Sequence, residues 1–487
     1  MTINVPAPTT CATVLRFRDD LSVIEDGAGL VLAHEDGGVR LAAPGPGVRA
    51  AIGLLTKAGA SADSLAAVAR QEDGEHGAAQ VAYLLRRWGA RGLLRSTLTV
   101  AGLSMLDAEP MVGGWWPPAD TVAGTVRTRF QLSRFASLRR HREYLALESP
   151  HATVRITLHG PLAGALVAAL AQPQTAEGLA EVAGQLGYAL TDTDATAVLA
   201  HLVAAGFAGE LDADGQLVED TDPVLAQWEP HDLAFHMRSR RGRHDGETGA
   251  TYRLAERIPP LPAVKPPMAG PRIALPVPDL ALLRETGPSF TAVLEDRRSV
   301  RTYGDSPISR GQLGELLYRS ARVRSVGAAP PPGCHSYQLS DRPYPSGGAV
   351  YDLEIYAAVN QCDGIDGGLY HYDAAQHELV RLADLHEPVR RLLRDAETAA
   401  ALACPPQILL ILASRFQRAS WKYSGSAYAL VLKNAGVLTQ TLYLVATAMG
   451  LAPCALGNGD SELFAQAAGL DPLVETSVCE LLIGRAP

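Results

Sequence analysis

The sequence predicts an α+β fold divided among several domains. A unit of strands, three helices and a short apolar strand occurs twice in the N-terminal half, with an offset of about 115 residues. In the C-terminal half, residues 407–413 are continuously apolar after the first residue, which is typical of a buried strand. Residues 434–451 then predict a long helix. A chain of 487 residues is too long for one core and indicates roughly three domains.

Composition and charge place the chain among soluble globular proteins. Hydrophobic residues make up 47% and charged residues 20% of the sequence. The net charge of -9 and the pI near 5.8 argue against nucleic-acid binding, which needs a basic face. The sequence shows no obvious membrane span and no N-terminal signal region. We therefore expect a cytoplasmic protein with no membrane partner.

The two N-terminal units share one order of elements. Each has a strand, a Gly-Pro helix start, three helices, and a glycine followed by an apolar strand. These segments are 39–41, 45–55, 64–69, 81–88 and 92–94 in the first unit, and 154–156, 160–170, 177–183, 197–203 and 206–207 in the second. The order predicts two winged-helix-like domains, residues 1–110 and 111–235.

Residues 236–285 are predicted to be a linker. Its proline-rich stretch extends from Pro259 to Pro271. Because proline lacks an N–H and fixes its own φ, this stretch can form neither a helix nor a central strand. We expect an extended strap over another domain or subunit, or a disordered linker. Residues 286–487 form the predicted C-terminal domain.

Residues 297–301, Arg-Arg-Ser-Val-Arg, are the most informative stretch. Three guanidinium groups in one turn repel one another unless an anion holds them together, and the planar guanidinium suits phosphate oxygens. A bound phosphate is therefore the economical interpretation. Taken alone, such a cluster is more often a solvated face or a nucleic-acid patch.

Five further motifs follow the arginines along the chain. They are a helix start capped by Ser309, the turn Pro-Ser-Gly-Gly-Ala at 345–349, Lys422-Tyr423, the turn Leu-Gly-Asn-Gly at 456–459, and Ile-Gly-Arg at 483–485. Either glycine turn, taken alone, would be interpreted as an ordinary loop. The order of motifs over residues 286–487 resembles the flavin-dependent nitroreductase superfamily, and within it the peptide azoline dehydrogenases that make thiazoles and oxazoles.

The resemblance implies a nitroreductase-like fold that binds FMN. The phosphate would be held by Arg297, Arg298, Ser299, Arg301 and Arg485. Ser346, Gly347 and Gly348 would lie against the flavin, since glycines let backbone N–H groups approach a flat ring. Gly457 would place its amide near the hydride-accepting nitrogen. Members of this superfamily are homodimers with flavin at the interface, so a homodimer is expected.

Lys422 and Tyr423 match the pair that the azoline dehydrogenases use in catalysis. Aromatising a thiazoline or oxazoline requires a hydride to leave for the flavin and a proton to leave an adjacent atom. The resemblance implies that the buried lysine, or the tyrosine polarised by it, takes that proton.

The cysteines predict neither a metal site nor a disulfide framework. Cys11, Cys334, Cys362, Cys404, Cys454 and Cys479 are scattered without C-x-x-C spacing. We expect reduced packing residues, of which Cys454 is nearest to the predicted flavin turn.

The N-terminal repeats are similar to the precursor-recognition domains related to the pyrroloquinoline quinone chaperone. Such domains pair a leader peptide with an exposed sheet edge. A winged-helix scaffold used for dimerisation or for docking a partner enzyme is an equal alternative.

These inferences predict an FMN-dependent dehydrogenase that oxidises azolines in a ribosomally made precursor peptide, together with a cyclodehydratase partner. Two alternatives stay open. One is an NAD(P)H-dependent nitro or quinone reductase, although a small diffusible substrate needs no peptide-docking domain. The other is a non-catalytic scaffold that binds leader peptide for a cyclodehydratase.

Overall fold

A computed structural model describes residues 11–34, 37–117, 127–242, 244, 246–327 and 337–487. The chain forms two compact units, Met1–Gly246 and Glu247–Pro487. Both units combine helices with strands, and the α+β class is confirmed. Cys334 lies outside the described residues.

The first unit contains the elements of both repeats. Its strands are β1 (Cys11–Phe17), β2 (Ser22–Asp26), β3 (Gly29–His34), β4 (Gly37–Leu41), β5 (Leu94–Val100), β6 (Leu103–Pro110), β7 (Phe130–Leu132), β8 (Ser137–His141), β9 (Tyr144–Glu148), β10 (Val154–Leu158) and β11 (Ala208–Glu210). Its helices are α1 (Pro46–Thr56), α2 (Ala62–Ala90), α3 (Gly160–Ala169), α4 (Ala176–Gln185), α5 (Asp192–Ala204), α6 (Val218–Thr221) and α7 (Pro230–Arg238).

The helices predicted for each repeat are present. In the second repeat they are α3, α4 and α5. In the first repeat they are α1 and the two halves of α2, which is broken at Gly74, where φ is 67°. A glycine tolerates this left-handed backbone conformation without steric cost.

Each repeat has its own hydrophobic core. The first is built around Leu55, Leu65 and Trp88, and the second around Leu166, Leu202 and Phe207. Strands of both repeats join one sheet of order β1-β5-β6-β10-β9-β8, and β2-β3-β4 form a separate three-stranded sheet. The winged-helix assignment and the boundary at 110 stay predictions.

The second unit continues the numbering. Its strands are β12 (Gly249–Ala250), β13 (Arg272–Ala274), β14 (Ser325–Gly327), β15 (Leu339–Asp341), β16 (Leu353–Val359), β17 (Gly368–Asp373), β18 (Glu378–Asp384), β19 (Ile408–Arg415), β20 (Tyr423–Ser424), β21 (Leu451–Leu456) and β22 (Glu475–Arg485). Its helices are α8 (Leu280–Thr286), α9 (Phe290–Asp296), α10 (Arg310–Ala321), α11 (Glu387–Ala400), α12 (Phe416–Ser420), α13 (Ala427–Ala448) and α14 (Ser461–Ala468).

A sheet of order β13-β18-β17-β16-β19-β22-β21 lies between two helical layers. The side chains of the central strand β19 alternate between the two faces of the sheet, so this strand contributes to the hydrophobic core on each face. Leu410 and Leu412 belong to the core with α10 and α13, whereas Leu409 and Ile411 belong to the core with α11 and α14. One sheet with a helical layer on each face is compatible with the fold that the resemblance implied.

Two predicted local features of this unit are confirmed. The apolar run at 407–413 forms β19, and all of that strand is buried. Ser309 caps α10, with its hydroxyl accepting from the Gln312 N–H and the Gln312 side chain accepting from the Ser309 N–H. This capping box is the arrangement that the Ser-x-x-Gln spacing favours.

By length and composition alone, α13 is apolar enough to cross a membrane, whereas the sequence analysis found no such run. Its contacts are those of a core helix. Leu438 and Leu442 are fully buried against the sheet, and the helix also buries the polar side chain of Asn434.

Part of the predicted linker packs against the rest of the second unit as a strap. We use the name strap for residues 247–265. Its first residues form the β12–β20 ladder, and its last, Lys265, forms an ion pair of 2.6 Å with Glu475. Beyond the strap, β13 adds an edge strand to the large sheet beside β18. The predicted linker therefore supplies ordered parts of the second unit.

Candidate functional site

The arginine turn docks on β21 and near the C-terminal end of α13. The Ser299 hydroxyl lies 2.8 Å from the Tyr443 hydroxyl, and the Val300 N–H donates to the Pro453 carbonyl at 2.9 Å. Just after the turn, the Gly304 N–H donates to the carbonyl of Arg485 at 3.1 Å. The turn and the C-terminal arginine therefore lie side by side.

The guanidinium groups of this region have no anionic partner among the described residues. Arg297 lies over the ring of Tyr443, 5.5 Å from its centroid, while Arg298, Arg301 and Arg485 are exposed. No carboxylate of the described chain lies within ion-pair distance of the four arginines. These guanidinium groups without carboxylate partners, beside the Ser299 hydroxyl, are suited to bind the oxygens of a phosphate.

Cys454 lies in β21 beside this turn. It is buried, and burial raises the pKa of its thiol, although the nearby Arg301 acts in the opposite direction. A thiol with a raised pKa is a poor nucleophile. The residue therefore belongs to the packing of β21.

The turn at 345–349 is anchored to α13. The Gly347 N–H donates to the side-chain oxygen of Asn434 at 3.0 Å, and the Ser346 hydroxyl accepts from the Tyr351 N–H at 3.1 Å. Gly348 has a φ of +61°, and a Cβ atom on Gly347 would collide with the Leu430 side chain. The Gly347 N–H is therefore already bonded within the protein, and packing requires the glycines whether or not a ring lies over them.

A buried polar network holds that anchor in place. Asn434 donates to Asp352 at 2.7 Å, and Ser414 donates to the same carboxyl group at 2.8 Å. Burial raises the pKa of Asp352, although these two hydrogen bonds act in the opposite direction. Sequence reasoning missed Asp352 and Asn434, because neither stands in a recognisable motif.

Lys422 and Tyr423 lie directly against this turn. The Lys422 ammonium donates to the Gly348 carbonyl at 3.0 Å and also to the Tyr337 hydroxyl. The Lys422 side chain is buried, with a residue exposure of 8%, whereas Tyr423 is half-buried. The structure thus brings together the turn and the Lys-Tyr pair, which are more than seventy residues apart in sequence.

The strap covers the same pair. Ala250 pairs with Tyr423 in the β12–β20 ladder, and the Tyr252 N–H donates to the Lys422 carbonyl at 3.2 Å. Further along, the Trp421 indole N–H donates to the Ile258 carbonyl at 2.6 Å. The stretch predicted as a linker therefore forms part of the candidate site.

Gly457 follows β21, next to the position where Leu456 pairs with Glu480. It is exposed, and an added Cβ would meet nothing within 4 Å. Residue 457 is thus exposed, with open space on the side where a Cβ atom would lie. Arg485 pairs with Leu451, at the other end of the same strand.

The predicted site residues form two groups at opposite ends of β19. The Arg485 N–H donates to the side chain of Gln407, just before the strand begins, whereas Ser414 near its other end joins the network of the Gly347 turn. Seven strand residues span roughly 23 Å. We call Arg297, Arg298, Ser299, Arg301 and Arg485 the arginine group, and Ser346, Gly347, Gly348, Lys422 and Tyr423 the lysine group.

Helix α13 separates the two groups as well. Asn434 contacts the lysine group and Tyr443 contacts the arginine group. Nine residues correspond to two and a half helical turns, so the two side chains leave opposite sides of the helix, about 13 Å apart along its axis.

Two cavities in this unit differ in their relation to the site. One of about 420 Å³ is lined by Tyr423, Ser424, Tyr428 and Arg253. A larger one, of about 640 Å³, lies between α11 and α14, away from the lysine group. Of these two cavities, the smaller is the one lined by a residue of the lysine group, Tyr423. Among the described residues, no cluster of three or more His, Cys, Asp or Glu could hold a metal ion.

Two family models match the chain. Residues 130–245 match the cyanobactin oxidase ThcOx, and residues 294–485 match the nitroreductase family. A protein of Methanocaldococcus jannaschii named as the nitroreductase MJ1384 is 32% identical over 165 residues, which are 34% of this chain and 76% of that protein.

Solved structures are similar at lower identity. A protein of Ralstonia eutropha described as a nitroreductase is 22% identical, with a TM-score of 0.34, over 47% of this chain and 99% of that chain. A chain of the E. coli microcin synthetase McbBCD complex with truncated pro-MccB17 is 20% identical, with a TM-score of 0.32, over 56% of this chain and 100% of that chain.

Proposed function

This chain belongs to the nitroreductase family, and we propose that it is an FMN-dependent dehydrogenase that oxidises thiazolines or oxazolines to thiazoles or oxazoles in a ribosomally made peptide. The observation that carries the proposal is the contact of Lys422 with Gly348 beside Tyr423. A Lys-Tyr pair at this point distinguishes the azoline dehydrogenases within the superfamily. The match of residues 130–245 to the cyanobactin oxidase model supports the same branch.

The arginine group would hold the phosphate of FMN. Its guanidinium groups have no carboxylate partners among the described residues, and charge-assisted bonds to phosphate would satisfy them. When bound, FMN supplies the acceptor for the hydride that leaves the azoline ring. Gly457 follows β21, the strand whose first residue pairs with Arg485, and its amide would lie near the hydride-accepting nitrogen of the flavin.

The lysine group would remove the proton from the azoline ring. Tyr423 lines the 420 Å³ cavity, where the substrate would bind, and its hydroxyl lies against Gly348. Lys422 lies deeper, and its side-chain nitrogen donates to Gly348 and Tyr337. As the uncharged amine it can make both bonds and keep its lone pair for the ring proton, taken directly or through Tyr423. The hydride would go to FMN when that cofactor is bound.

The separation of the two groups favours a homodimer with a shared site. The two groups lie at opposite ends of β19, roughly 23 Å apart along the strand, with α13 between them, so we propose that one flavin does not contact both groups of one chain. Two copies could bring the arginine group of one chain to the lysine group of the other. This arrangement agrees with the interface flavin that the resemblance implies.

The first unit would hold the precursor peptide or a partner cyclodehydratase. Its two repeats carry the strands and helices predicted for precursor-recognition domains. We place the protein in the cytoplasm, since the five described cysteines, among them buried Cys362 and Cys454, are free thiols.

Mass spectrometry of a heterocyclised precursor tests the function. The purified protein with FMN and oxygen should remove two hydrogens from each azoline ring. Lys422→Ala should slow that mass change roughly a hundredfold or more, whereas Lys433→Ala, at an exposed lysine of α13, should retain it. An enzyme that reduces nitro compounds or quinones but leaves every azoline unchanged would contradict the proposal.

A further inference from the structure

Tyr337 closes a hydrogen-bonded triangle with Lys422 and Gly348. Its hydroxyl accepts from the Lys422 ammonium and donates to the Gly348 carbonyl at 2.9 Å, and Lys422 donates to the same carbonyl at 3.0 Å. Tyr337 is buried, with an exposure of 5%. Its ring also lies against the ammonium, which is 4.6 Å from the ring centroid.

The lysine side chain needs such a partner. Its four-carbon stem is flexible, so an ammonium held in one place requires acceptors at fixed angles. Within the described residues, no carboxylate lies within ion-pair distance of Lys422. The ammonium donates instead to the Tyr337 hydroxyl and the Gly348 carbonyl.

Arg418 fixes the two segments that supply these acceptors. Its buried guanidinium donates to the Gln338 carbonyl at 3.1 Å, next to Tyr337, and to the Val350 carbonyl at 2.9 Å, two residues beyond Gly348. A third bond reaches the strap at Leu261. The Arg418 side chain is thus hydrogen-bonded to both segments that form the triangle.

We propose that Tyr337 is a positioning residue that holds Lys422 beneath Gly348 for proton removal. This inference rests on the proposed function. Tyr337 acts through Lys422 rather than on the substrate, because its hydroxyl already donates one bond and accepts another. No motif marks it in the sequence.

The test compares Tyr337→Phe with Tyr370→Phe. Tyr370 is a matched control, since it is fully buried and its hydroxyl donates to a backbone carbonyl, that of Asp366, at 2.8 Å. Tyr337→Phe should lower kcat for azoline oxidation by about tenfold to a hundredfold, the effect of removing one hydrogen bond to a charged group, with KM little changed. Tyr370→Phe should leave both constants near the wild-type values.

The rate of the double variant Tyr337→Phe, Lys422→Ala distinguishes a role through Lys422 from a purely structural role. If Tyr337 acts only through Lys422, adding Tyr337→Phe to Lys422→Ala should change the residual rate no further. Additive losses would overturn the proposal. So would a Tyr337→Phe enzyme with wild-type kcat while Lys422→Ala is inactive. If Lys422→Ala itself oxidises azolines normally, the proposed function of the lysine group fails instead.

Chemical labelling tests the contact without substrate or flavin turnover. The chain has only four lysines, Lys57, Lys265, Lys422 and Lys433, so each can be followed in its own peptide. Reductive methylation of Lys422 should become severalfold faster in Tyr337→Phe, relative to exposed Lys57 and Lys433, and should not change in Tyr370→Phe. An unchanged labelling rate in Tyr337→Phe would count against the proposed restraint.

Discussion

The hydroxyl oxygen of Tyr423 occupies the place that a Cβ atom on Gly348 would need. Gly348 also has a φ of +61°, a conformation that residues with a side chain rarely adopt. Two independent features therefore require glycine at this position. The first of them is a direct contact between the turn and the Lys-Tyr pair.

Gly348→Ala should sharply reduce azoline oxidation while the protein still folds. The left-handed backbone costs roughly 1–2 kcal/mol in any variant with a side chain, and the new methyl group must also displace the Tyr423 hydroxyl. Gly469→Ala is the matched control, because Gly469 has a φ of +67° but nothing within 4 Å of an added Cβ. Thermal unfolding should report similar losses of stability for both variants, and only Gly348→Ala should lose activity.

Arg301→Ala combined with Arg485→Ala should release most of the flavin. Each charge-assisted contact to phosphate is worth on the order of 1.5–3 kcal/mol, so the double variant should bind FMN at least about a hundredfold more weakly. Absorbance after gel filtration measures the occupancy, and chromatography of the released flavin should give FMN rather than FAD. Arg390→Ala, at an exposed site of α11, should keep full occupancy. A fully loaded double variant would refute the phosphate assignment.

The acid stability of the first unit should depend on Glu148. Burial raises the pKa of Glu148, but hydrogen bonds from Arg139 and Arg155 outweigh this effect and lower the pKa to about 2. Between about pH 4.5 and pH 2 the unfolded chain therefore binds more protons at this residue, and the free energy of unfolding falls as the pH falls. Glu148→Gln should be less stable at pH 7, by at most roughly 3 kcal/mol. Denaturant melts at several pH values should show this difference shrinking toward pH 2; a difference independent of pH would contradict the assignment.

The sequence predicted those parts of the fold that local patterns determine. A continuous apolar run predicted β19, and the Ser-x-x-Gln spacing predicted the cap of α10. The contacts of the turn with Lys422 could be expected only through the resemblance, since no periodicity links residues that far apart. Tyr337 and Asn434 act through tertiary contacts alone, which one sequence does not reveal.

The sequence predicted an extended strap or a disordered linker, but it did not predict that this stretch would cover the Lys-Tyr pair. Proline content correctly disfavoured a helix, but composition could not show which surface the stretch would cover. Its backbone carbonyls at Ile258 and Leu261 accept from Trp421 and Arg418. These partners lie more than a hundred residues away in sequence, so local sequence patterns cannot predict the pairing.

Two truncated chains should separate the role of the strap from that of the first unit. A chain beginning at Glu247 keeps the β12–β20 ladder and the bond from Trp421 to Ile258. It should oxidise a short azoline peptide without leader at near full-length rate, but a full-length precursor far more slowly. A chain beginning at Pro266 lacks the strap and should be slow on both. Equal rates of the full-length protein and the Glu247 chain on the full-length precursor would leave the first unit without a substrate-docking role.

Mixing two inactive variants should restore activity if the site is shared between two chains. One variant carries Arg301→Ala and Arg485→Ala, and the other carries Lys422→Ala. In a mixed dimer, the intact arginine group of the second chain meets the intact lysine group of the first, so one of the two sites is complete. Because half of the dimers are mixed after random exchange and each has one complete site, about a quarter of the wild-type rate should return. The control mixes Lys422→Ala with Tyr423→Phe, which damage the same group and should not complement. An inactive mixture of the first pair, with subunit exchange verified by mass spectrometry, would show that the arginine and lysine groups do not serve one site across the dimer.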